Sequence, residues 1–303
     1  QYTTVWMTEM AIDYQHLKAR DFGVIRQTYT ERDTLLYALS LGLGNDPLDP
    51  DALPFIFEGA PGGLRALPTL AAVLGYPGFW ARQPDSGIDW VRLMHGEQGL
   101  TIHRPLPAAG TVLGRNRISH LIDKGEGKGA IVVVERQVEG EDGTLYATLR
   151  QVIFCRGDGG FSQLNGGQPS DPALPALPAT PEDRAPDCTD DQPTRPEAAL
   201  LYRLMGDDNP LHADPAVARA AGFERPILHG LASYGLAARA ILRQCAGNDP
   251  ARLRSLDLRF AAPVFPGETL RTEIWREGSR VQFRARVLER DRVVLSHGVA
   301  QID

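Results

Sequence analysis

The sequence predicts an α+β fold in which two related halves each wrap a curved antiparallel sheet around a central helix. Two observations lead to this prediction. Short motifs recur in the same order in both halves, and the second half has an apolar helical segment followed by segments in which apolar and polar residues alternate. The chain has 303 residues, 43% hydrophobic and 23% charged, which is an ordinary composition for one or two globular domains.

The recurring motifs indicate a duplicated domain. Leu35–Tyr37 corresponds to Leu200–Tyr202, and each is followed by a turn rich in Gly, Asp, Asn and Pro. Further along, residues 105–111 (PLPAAGT) match residues 263–269 (PVFPGET). The offset between the copies drifts slowly, as small insertions and deletions in a duplicated domain would cause.

The segment between the halves is rich in proline and acidic residues. Gln168–Pro196 holds eight of the 23 prolines and six acidic side chains, with little apolar surface. It is therefore predicted to run extended over the surface or to be partly disordered. The predicted organisation is an N-terminal domain at 10–160, a linker at 161–196 and a C-terminal domain at 197–303.

The C-terminal domain has the clearest secondary-structure pattern. Leu231–Leu242 is apolar on nearly all sides, which predicts a helix enclosed by protein. Period-two runs after it predict four strands with one buried face each. These strands are predicted at Leu256–Phe260, Leu270–Ile274, Val281–Val287 and Val293–Val299. One enclosed helix followed by a meander of strands is the hot-dog architecture.

The N-terminal domain shows the same order more weakly, which makes the predicted fold a double hot-dog. Its helix is predicted at Leu64–Leu74. Its strands are predicted at Gly99–His103, Val112–Ile122, Ala130–Val138 and Leu145–Phe154.

Charge, cysteines and termini narrow the class of protein. A formal charge of −6 predicts no nucleic-acid or membrane partner, and three cysteines without CxxC spacing indicate neither disulfides nor a thiolate zinc site. Gln1–Met10, where Met10 could be the native start, shows no secretory pattern, and Gln301–Asp303 is no Ser-Lys-Leu-like peroxisomal signal. No apolar run is long enough to cross a bilayer. The sequence predicts a cytoplasmic protein.

The densest cluster of polar residues is Gly206–His212 (GDDNPLH), which follows the apolar helical stretch Ala198–Met205. One interpretation is structural: a C-cap glycine, an Asp/Asn/Pro turn and a new helix capped by Asp214. The other is catalytic, because a tight turn can direct Asp207 and His212 at one water molecule.

A second cluster, Pro226–Leu231 (PILHGL), directly precedes the enclosed helix. Backbone N–H groups at the helix start, at Gly230, could hold an oxyanion or a thioester carbonyl. His229 is interpreted as a hydrogen-bonded structural histidine. A metal site formed by Asp207, His212 and His229 is disfavoured as a sparse and irregular ligand set, so no metal is predicted.

The two clusters together, GDDNPLH and PILHGLASYGLAARAIL, resemble the signature of the MaoC-like hydratases, the hydratase 2 or (R)-specific enoyl-CoA hydratase family. The resemblance continues through 259–270 (RFAAPVFPGETL), 94–111 (MHGEQGLTIHRPLPAAGT) and 121–129 (LIDKGEGKG), which look like the hydratase 2 unit of the peroxisomal multifunctional enzyme. It implies a homodimer of double hot-dog subunits, in which the C-terminal half is catalytic and the N-terminal half accommodates the acyl chain. No cofactor is implied, since CoA is part of the substrate.

The resemblance also assigns roles to residues. Asp207 and His212 become the catalytic pair, Asn209 helps to fix the local geometry, and the backbone N–H of Gly230 becomes the oxyanion donor. The implied substrate-contacting positions are His95, Gly96, Lys124, Asp208, Pro210, Leu211 and Phe260.

The implied reaction is the reversible hydration of trans-2-enoyl-CoA to (3R)-3-hydroxyacyl-CoA. Met205 stands where the family commonly has a small hydroxyl residue, which bears on packing more than on chemistry. The first copy of the turn, Gly44–Asp49 (GNDPLD), has no histidine corresponding to His212, so one active site per chain is expected. A hot-dog acyl-CoA thioesterase and a non-catalytic acyl-CoA-binding subunit are the alternatives. The sequence does not specify the acyl chain length or the pathway.

Overall fold

The computed structural model describes residues 11–303, so the prediction for Gln1–Met10 lies outside the described residues. The helices are α1 (Tyr14–Lys18), α2 (Glu31–Ser40), α3 (Leu53–Ile56), α4 (Ala198–Tyr202), α5 (Pro215–Ala220) and α6 (Gly230–Cys245). The strands are β1 (Val24–Tyr29), β2 (Leu93–Ile102), β3 (Gly110–Asp123), β4 (Ala130–Gly140), β5 (Leu145–Cys155), β6 (Cys188–Pro193), β7 (Leu253–Phe260), β8 (Thr269–Glu277), β9 (Arg280–Val287) and β10 (Arg292–Ile302). None of the helices within 11–303 combines the length and apolar character that a membrane crossing requires.

All the described strands join one ten-stranded antiparallel sheet in the order β1-β3-β4-β5-β2-β7-β10-β9-β8-β6. Strands whose numbers differ by five lie at equivalent distances from the centre of this sheet. For example, β1 and β6 are the two edge strands, and β2 and β7 are the two central strands. The central strands pair with Gly99 opposite Asp257. This approximately two-fold order is what a duplicated domain produces.

The enclosed helix of the C-terminal half is confirmed. In α6 every residue from Ala232 to Leu242 is buried, because the helix contacts the inner face of the sheet and elements of the N-terminal half. At Gly235 an added Cβ would lie 2.7 Å from Leu41 Cδ1 at the end of α2. A glycine there lets the two halves pack closely around one helix.

The helix predicted at Leu64–Leu74 is wrong. Only Pro68–Val73 is helical, as 3-10 turns. Pro68 stands at the first position of the turns and lacks an N–H donor. The chain then turns at Gly75, with φ +64°, and comes so close to Gly114 that a Cβ on Gly75 would lie 2.6 Å from the Gly114 Cα. From residue 11 onward, the N-terminal half therefore has no counterpart of α6.

The linker prediction is also wrong at its C-terminal end. Cys188–Pro193 is an edge strand, β6, paired with β8. Its inward-facing residues are polar: Asp190 accepts hydrogen bonds from Arg243, and Gln192 donates to the Leu236 carbonyl of α6. Polar residues at buried positions remove the alternation on which strand prediction depends.

Candidate active site

The Gly206–His212 turn is held by local hydrogen bonds. The chain leaves α4 through one 3-10 turn and reverses at Gly206, whose φ of +110° favours glycine. The Asp207 carboxylate then accepts from the Asn209 N–H at 3.2 Å, and the Asn209 side chain accepts from the Leu211 N–H at 3.0 Å. These contacts confirm the structural interpretation of the turn, and the catalytic one stays a prediction.

His212 is held in a defined tautomer. Its Nδ1 lies 2.8 Å from the Ile227 carbonyl, which can only accept, so Nδ1 carries the proton and donates. The Nε2 lone pair is left for another partner. Burial lowers the pKa of His212, against opposing effects of the Ile227 hydrogen bond and the Asp207 charge, so the ring is neutral near pH 7.

His229 forms one wall of the same site. Its ring stacks on that of His212 with centroids 3.7 Å apart, and its Nε2 lies 3.4 Å from the Asp207 carbonyl. The other ring nitrogen, Nδ1, is buried without a hydrogen-bond partner among residues 11–303. Burial lowers the pKa of His229 to about 3. The prediction of a hydrogen-bonded structural histidine is thus confirmed for Nε2 but not for Nδ1. The contact of His229 with the predicted catalytic histidine was missed by sequence reasoning.

A second wall of the site is formed by residues of both halves. Gly230 is the first residue of α6, and an added Cβ there would lie 3.0 Å from Phe260 Cε1. The Phe260 ring in turn contacts the His95 ring, with centroids 4.6 Å apart. Burial lowers the pKa of His95 to about 4, and its Nε2 has no partner within the described part of the chain. The strand pairing of β2 with β5 shifts at Gly96, between His95 and Glu97.

The remaining predicted positions divide into two groups. Asp208, Pro210 and Leu211 belong to the Gly206–His212 turn itself. Lys124 is exposed at the end of β3, with its Nζ 5.8 Å from the centroid of the Phe154 ring. Phe154 is opposite Met94, the neighbour of His95 on β2. Lys124 is thus placed beside the part of the sheet that carries His95, and within residues 11–303 no contact with the Gly206–His212 turn is seen for it.

Asp207, His212 and His229 each offer a ligand atom, all within 4.8 Å of one another. Backbone carbonyls occupy His212 Nδ1 and His229 Nε2. The two rings are stacked with only 24° between their planes, so their free lone pairs lie in nearly parallel planes, which is a poor arrangement for ligands that must converge on one tetrahedral ion. The donor set fits a metal ion poorly, and a metal-free site stays a prediction.

Comparisons with known proteins agree with this architecture. Residues 27–157 match the MFE-2 hydratase 2 N-terminal domain, and residues 178–297 match the MaoC like domain. The chain is 43% identical to 3-hydroxyacyl-thioester dehydratase Y of Mycobacterium tuberculosis, over 96% of this chain and 99% of that protein. It is 41% identical to the peroxisomal enoyl-CoA hydratase 2 of Arabidopsis thaliana, over 92% of each.

A solved structure shows the same fold over the whole length. The crystal structure of a MaoC-like dehydratase from Phytophthora capsici superposes with a TM-score of 0.82 at 34% identity, covering 96% of this chain and 99% of that one. The sequence motifs, the paired sheet halves and these relatives lead to one conclusion. The chain belongs to the MaoC-like dehydratase family, in its two-domain hydratase 2 form.

Proposed function

We propose that this protein is an (R)-specific enoyl-CoA hydratase, which reversibly hydrates trans-2-enoyl-CoA to (3R)-3-hydroxyacyl-CoA. One observation carries the proposal: His212 donates its Nδ1 proton to Ile227, which leaves the Nε2 lone pair free, and a ring nitrogen of His212 lies within 4.8 Å of an Asp207 carboxylate oxygen. Relatives named enoyl-CoA hydratase 2 and 3-hydroxyacyl-thioester dehydratase support the same reaction, in its two directions.

The chemistry requires a base for water and a proton for C2. A water molecule held between the Asp207 carboxylate and His212 Nε2 loses a proton to the pair as its oxygen bonds to C3. The electrons of the double bond move onto the thioester. Asp207 and His212 then return a proton to C2. Atoms and charge balance, because water supplies both the hydroxyl at C3 and the hydrogen at C2.

The negative charge that develops on the thioester oxygen needs a donor. Gly230 is the first residue of the 16-residue helix α6, so its N–H has no acceptor within the helix and lies at the positive end of the dipole. One such donor lowers a barrier by about 3 kcal/mol. We assign the oxyanion to this N–H.

The test is a spectroscopic assay with trans-2-enoyl-CoA substrates of short, medium and long chain: crotonyl-, decenoyl- and hexadecenoyl-CoA. Hydration removes the absorbance of the conjugated thioester, and a dehydrogenase specific for the (3R) or (3S) alcohol identifies the product. Release of free thiol would instead indicate a thioesterase. Tight binding without either change would indicate a non-catalytic acyl-CoA-binding subunit.

Assembly and location are separate proposals. A homodimer is proposed on the family resemblance, and light scattering should then give twice the 33.1 kDa subunit mass. The cytoplasm is proposed from the sequence, whereas the Arabidopsis relative is named peroxisomal. Fractionation of the source cells would decide between the two compartments.

A further inference from the structure

The inner face of the N-terminal sheet carries a buried arginine. Arg136 lies on β4 at a position where alternate residues face inward, between Val134 and Val138, and is 8% exposed. Val132 and Val134 pack in one apolar cluster of the molecule and Val138 in another. A charged side chain therefore occupies the boundary between two apolar clusters.

Most donors of Arg136 have no partner. Its Nη2 donates to the Ala72 carbonyl at 2.8 Å, while Nε and Nη1 are buried and unpaired with respect to every described residue. A guanidinium has five N–H donors in a planar fork. The Ala72 carbonyl accepts only one of the two Nη2 hydrogens. The other Nη2 hydrogen and a parallel N–H of Nε or Nη1 remain as two adjacent free donors. Burial lowers the pKa of Arg136 to about 10, so the group stays charged at pH 7.

Other polar side chains continue across the sheet from Arg136. Asn116 of β3 is directly opposite Arg136, and Gln151 of β5 is directly opposite Gln98 of β2. Gln98 is 2% exposed. Asn116, Arg136 and Gln151 line a narrow cleft. We name these four residues the polar band; it crosses four adjacent strands.

The polar band lies close to the candidate active site. Gln98 is three residues along β2 from His95. The Tyr76 ring, which lines the cleft, lies 5.5 Å from Arg136 Cζ. Burial raises the pKa of Tyr76 to about 12, helped by the negative charge of Asp207 and opposed by Arg136. Tyr76 is thus within electrostatic range of both the catalytic turn and the arginine.

We propose that the polar band binds a carboxylate at the far end of the acyl chain, so that CoA thioesters of dicarboxylic 2-enoic acids are preferred substrates. The inference rests on the proposed function, which places the thioester at Gly230. A purely apolar tail would leave the guanidinium buried and unpaired, which is costly. A carboxylate matches its fork with two parallel charge-assisted hydrogen bonds. Tyr76 is 39% exposed and its ring lies over the guanidinium, so binding of the carboxylate requires this ring to move aside.

The kinetic test compares two substrates of equal length, trans-2-decenedioyl-CoA and trans-2-decenoyl-CoA, with hexadecenedioyl- and hexadecenoyl-CoA as the longer pair. The measured quantity is the ratio of kcat/KM for the dicarboxylic over the monocarboxylic substrate. Arg136→Met should lower this ratio about 10- to 100-fold. Arg117→Met is the matched control, since Arg117 is 67% exposed on β3 and pairs with Glu135 outside the cleft. An unchanged ratio in Arg136→Met overturns the inference.

A binding test separates this inference from the proposed function. Saturated decanedioyl-CoA and decanoyl-CoA cannot be hydrated, and calorimetry should show tighter binding of the former to the wild-type protein. Tighter binding without turnover of any enoyl-CoA would refute the hydratase and keep the carboxylate site. Turnover without a carboxylate preference would keep the hydratase and refute the site.

Two further variants protect the test against misfolding. An apolar residue in place of a buried, unpaired charge is often neutral or stabilising, so Arg136→Met should melt no lower than the wild-type protein. Arg136→Lys keeps the charge but loses the fork and should recover only part of the preference. If Arg136→Met does not fold, two other measurements test the inference. They are the kcat/KM ratio of Gln151→Leu and the difference in binding of the two saturated thioesters by the wild-type protein. A wild-type protein that binds both saturated thioesters equally refutes the inference.

Discussion

The two copies of the Gly/Asp/Asn/Pro turn hold different side chains at equivalent positions, and these side chains have different contacts. In the second copy His212 is fixed on the Ile227 carbonyl beside Asp207. In the first copy Asp49 follows Pro47-Leu48 as His212 follows Pro210-Leu211, but its carboxylate pairs with Arg239 of α6 at 2.7 Å and with Arg243 at 3.6 Å. The same position thus holds a proposed catalytic side chain in one copy and an ion-paired structural side chain in the other.

The helix that serves the site is also present only once. Gly230 begins the 16-residue α6, whereas the first copy offers only the 3-10 turns Pro68–Val73. Short 3-10 turns supply little dipole, and Pro68 at their first position has no N–H to donate. The first copy therefore lacks counterparts of both the proposed histidine base and the proposed oxyanion donor. A duplicated domain can lose an active site by changes at two places while its sheet order is retained.

The largest effect is expected from removing the proposed acid–base pair. Asp207→Asn and His212→Ala should each lower kcat for hydration about 10²–10⁴-fold, the range for a positioned acid–base group. The matched control in the first copy is Asp46→Asn, at the position that corresponds to Asn209, which should keep the wild-type rate. Circular dichroism establishes that all three variants fold. Near-wild-type hydration by either site variant would remove the distinction between the copies.

The oxyanion donor can be deleted without deleting the helix. Proline is tolerated at the first helical position, and His229, with φ −59° and ψ 136°, already has the extended conformation that a following proline requires. Gly230→Pro removes the backbone N–H. Gly230→Ala keeps the N–H but places a Cβ against the Phe260 ring, as proline also does, and is therefore the control. Gly230→Pro should be about 100-fold slower than Gly230→Ala in stopped-flow hydration. Equal rates would place the oxyanion elsewhere.

Acid should destabilise the fold through two buried histidines, His95 of the N-terminal half and His229 of the C-terminal half. The pKa values of His95 and His229 are lowered from 6.5 to about 4 and about 3 by burial. The unfolded chain therefore binds more protons below pH 6.5, and the free energy of unfolding falls as the pH drops from about 6.5 toward 4. His95 alone contributes about 3 kcal/mol over that interval. Urea unfolding at several pH values measures this loss.

The histidine variant gives the control for the acid effect. His95→Gln removes one titrating group, so its unfolding free energy should depend less steeply on pH than that of the wild-type protein. A slope equal to the wild-type slope would mean that His95 has the same pKa in the folded and unfolded chains.

A smaller effect is expected from the ion pair of the first copy. Asp49 and Arg239 are 16% and 9% exposed, so Asp49→Asn should lower the free energy of unfolding by about 2 kcal/mol. The hydration rate of the folded protein should not change. Asp46→Asn, whose side chain still caps the Leu48 N–H, controls for loss of charge in the same turn. A rate loss in Asp49→Asn at full stability would show that the first copy acts in catalysis.

Apolar alternation made most of the sheet predictable from sequence. The runs Val281–Val287 and Ala130–Val138 lie within β9 and β4 of the structure, because alternate apolar residues in them pack on the inner face. The edge strand β1 was not predicted, since among its residues only Tyr29 is buried. In β6, likewise, the buried positions are polar, and their partners are distant in sequence.

The site was predictable only in part. Asp207 and His212 were found because they lie on one turn, and the family motif extended the set to His95 and Phe260 on strands of different halves. The stacking of His229 on His212 depends on how α6 enters the core, which no local pattern encodes. Arg136 was missed because an arginine in an alternating run is normally assigned to the solvent face. Unpaired donors at a buried position are visible only once the neighbouring strands are in place.

The central pairing of β2 with β7 changes what a single substitution can do. In a symmetric dimer of identical chains, every amino-acid change appears at both equivalent positions. Here the two halves of the sheet belong to one chain, so a change in one half is not repeated in the other. Asp49 could replace a histidine, and Arg136 could enter an apolar wall, without an effect on the opposite copy. Fusion of the halves thus lets the proposed acyl-binding surface and the proposed catalytic turn change independently of each other.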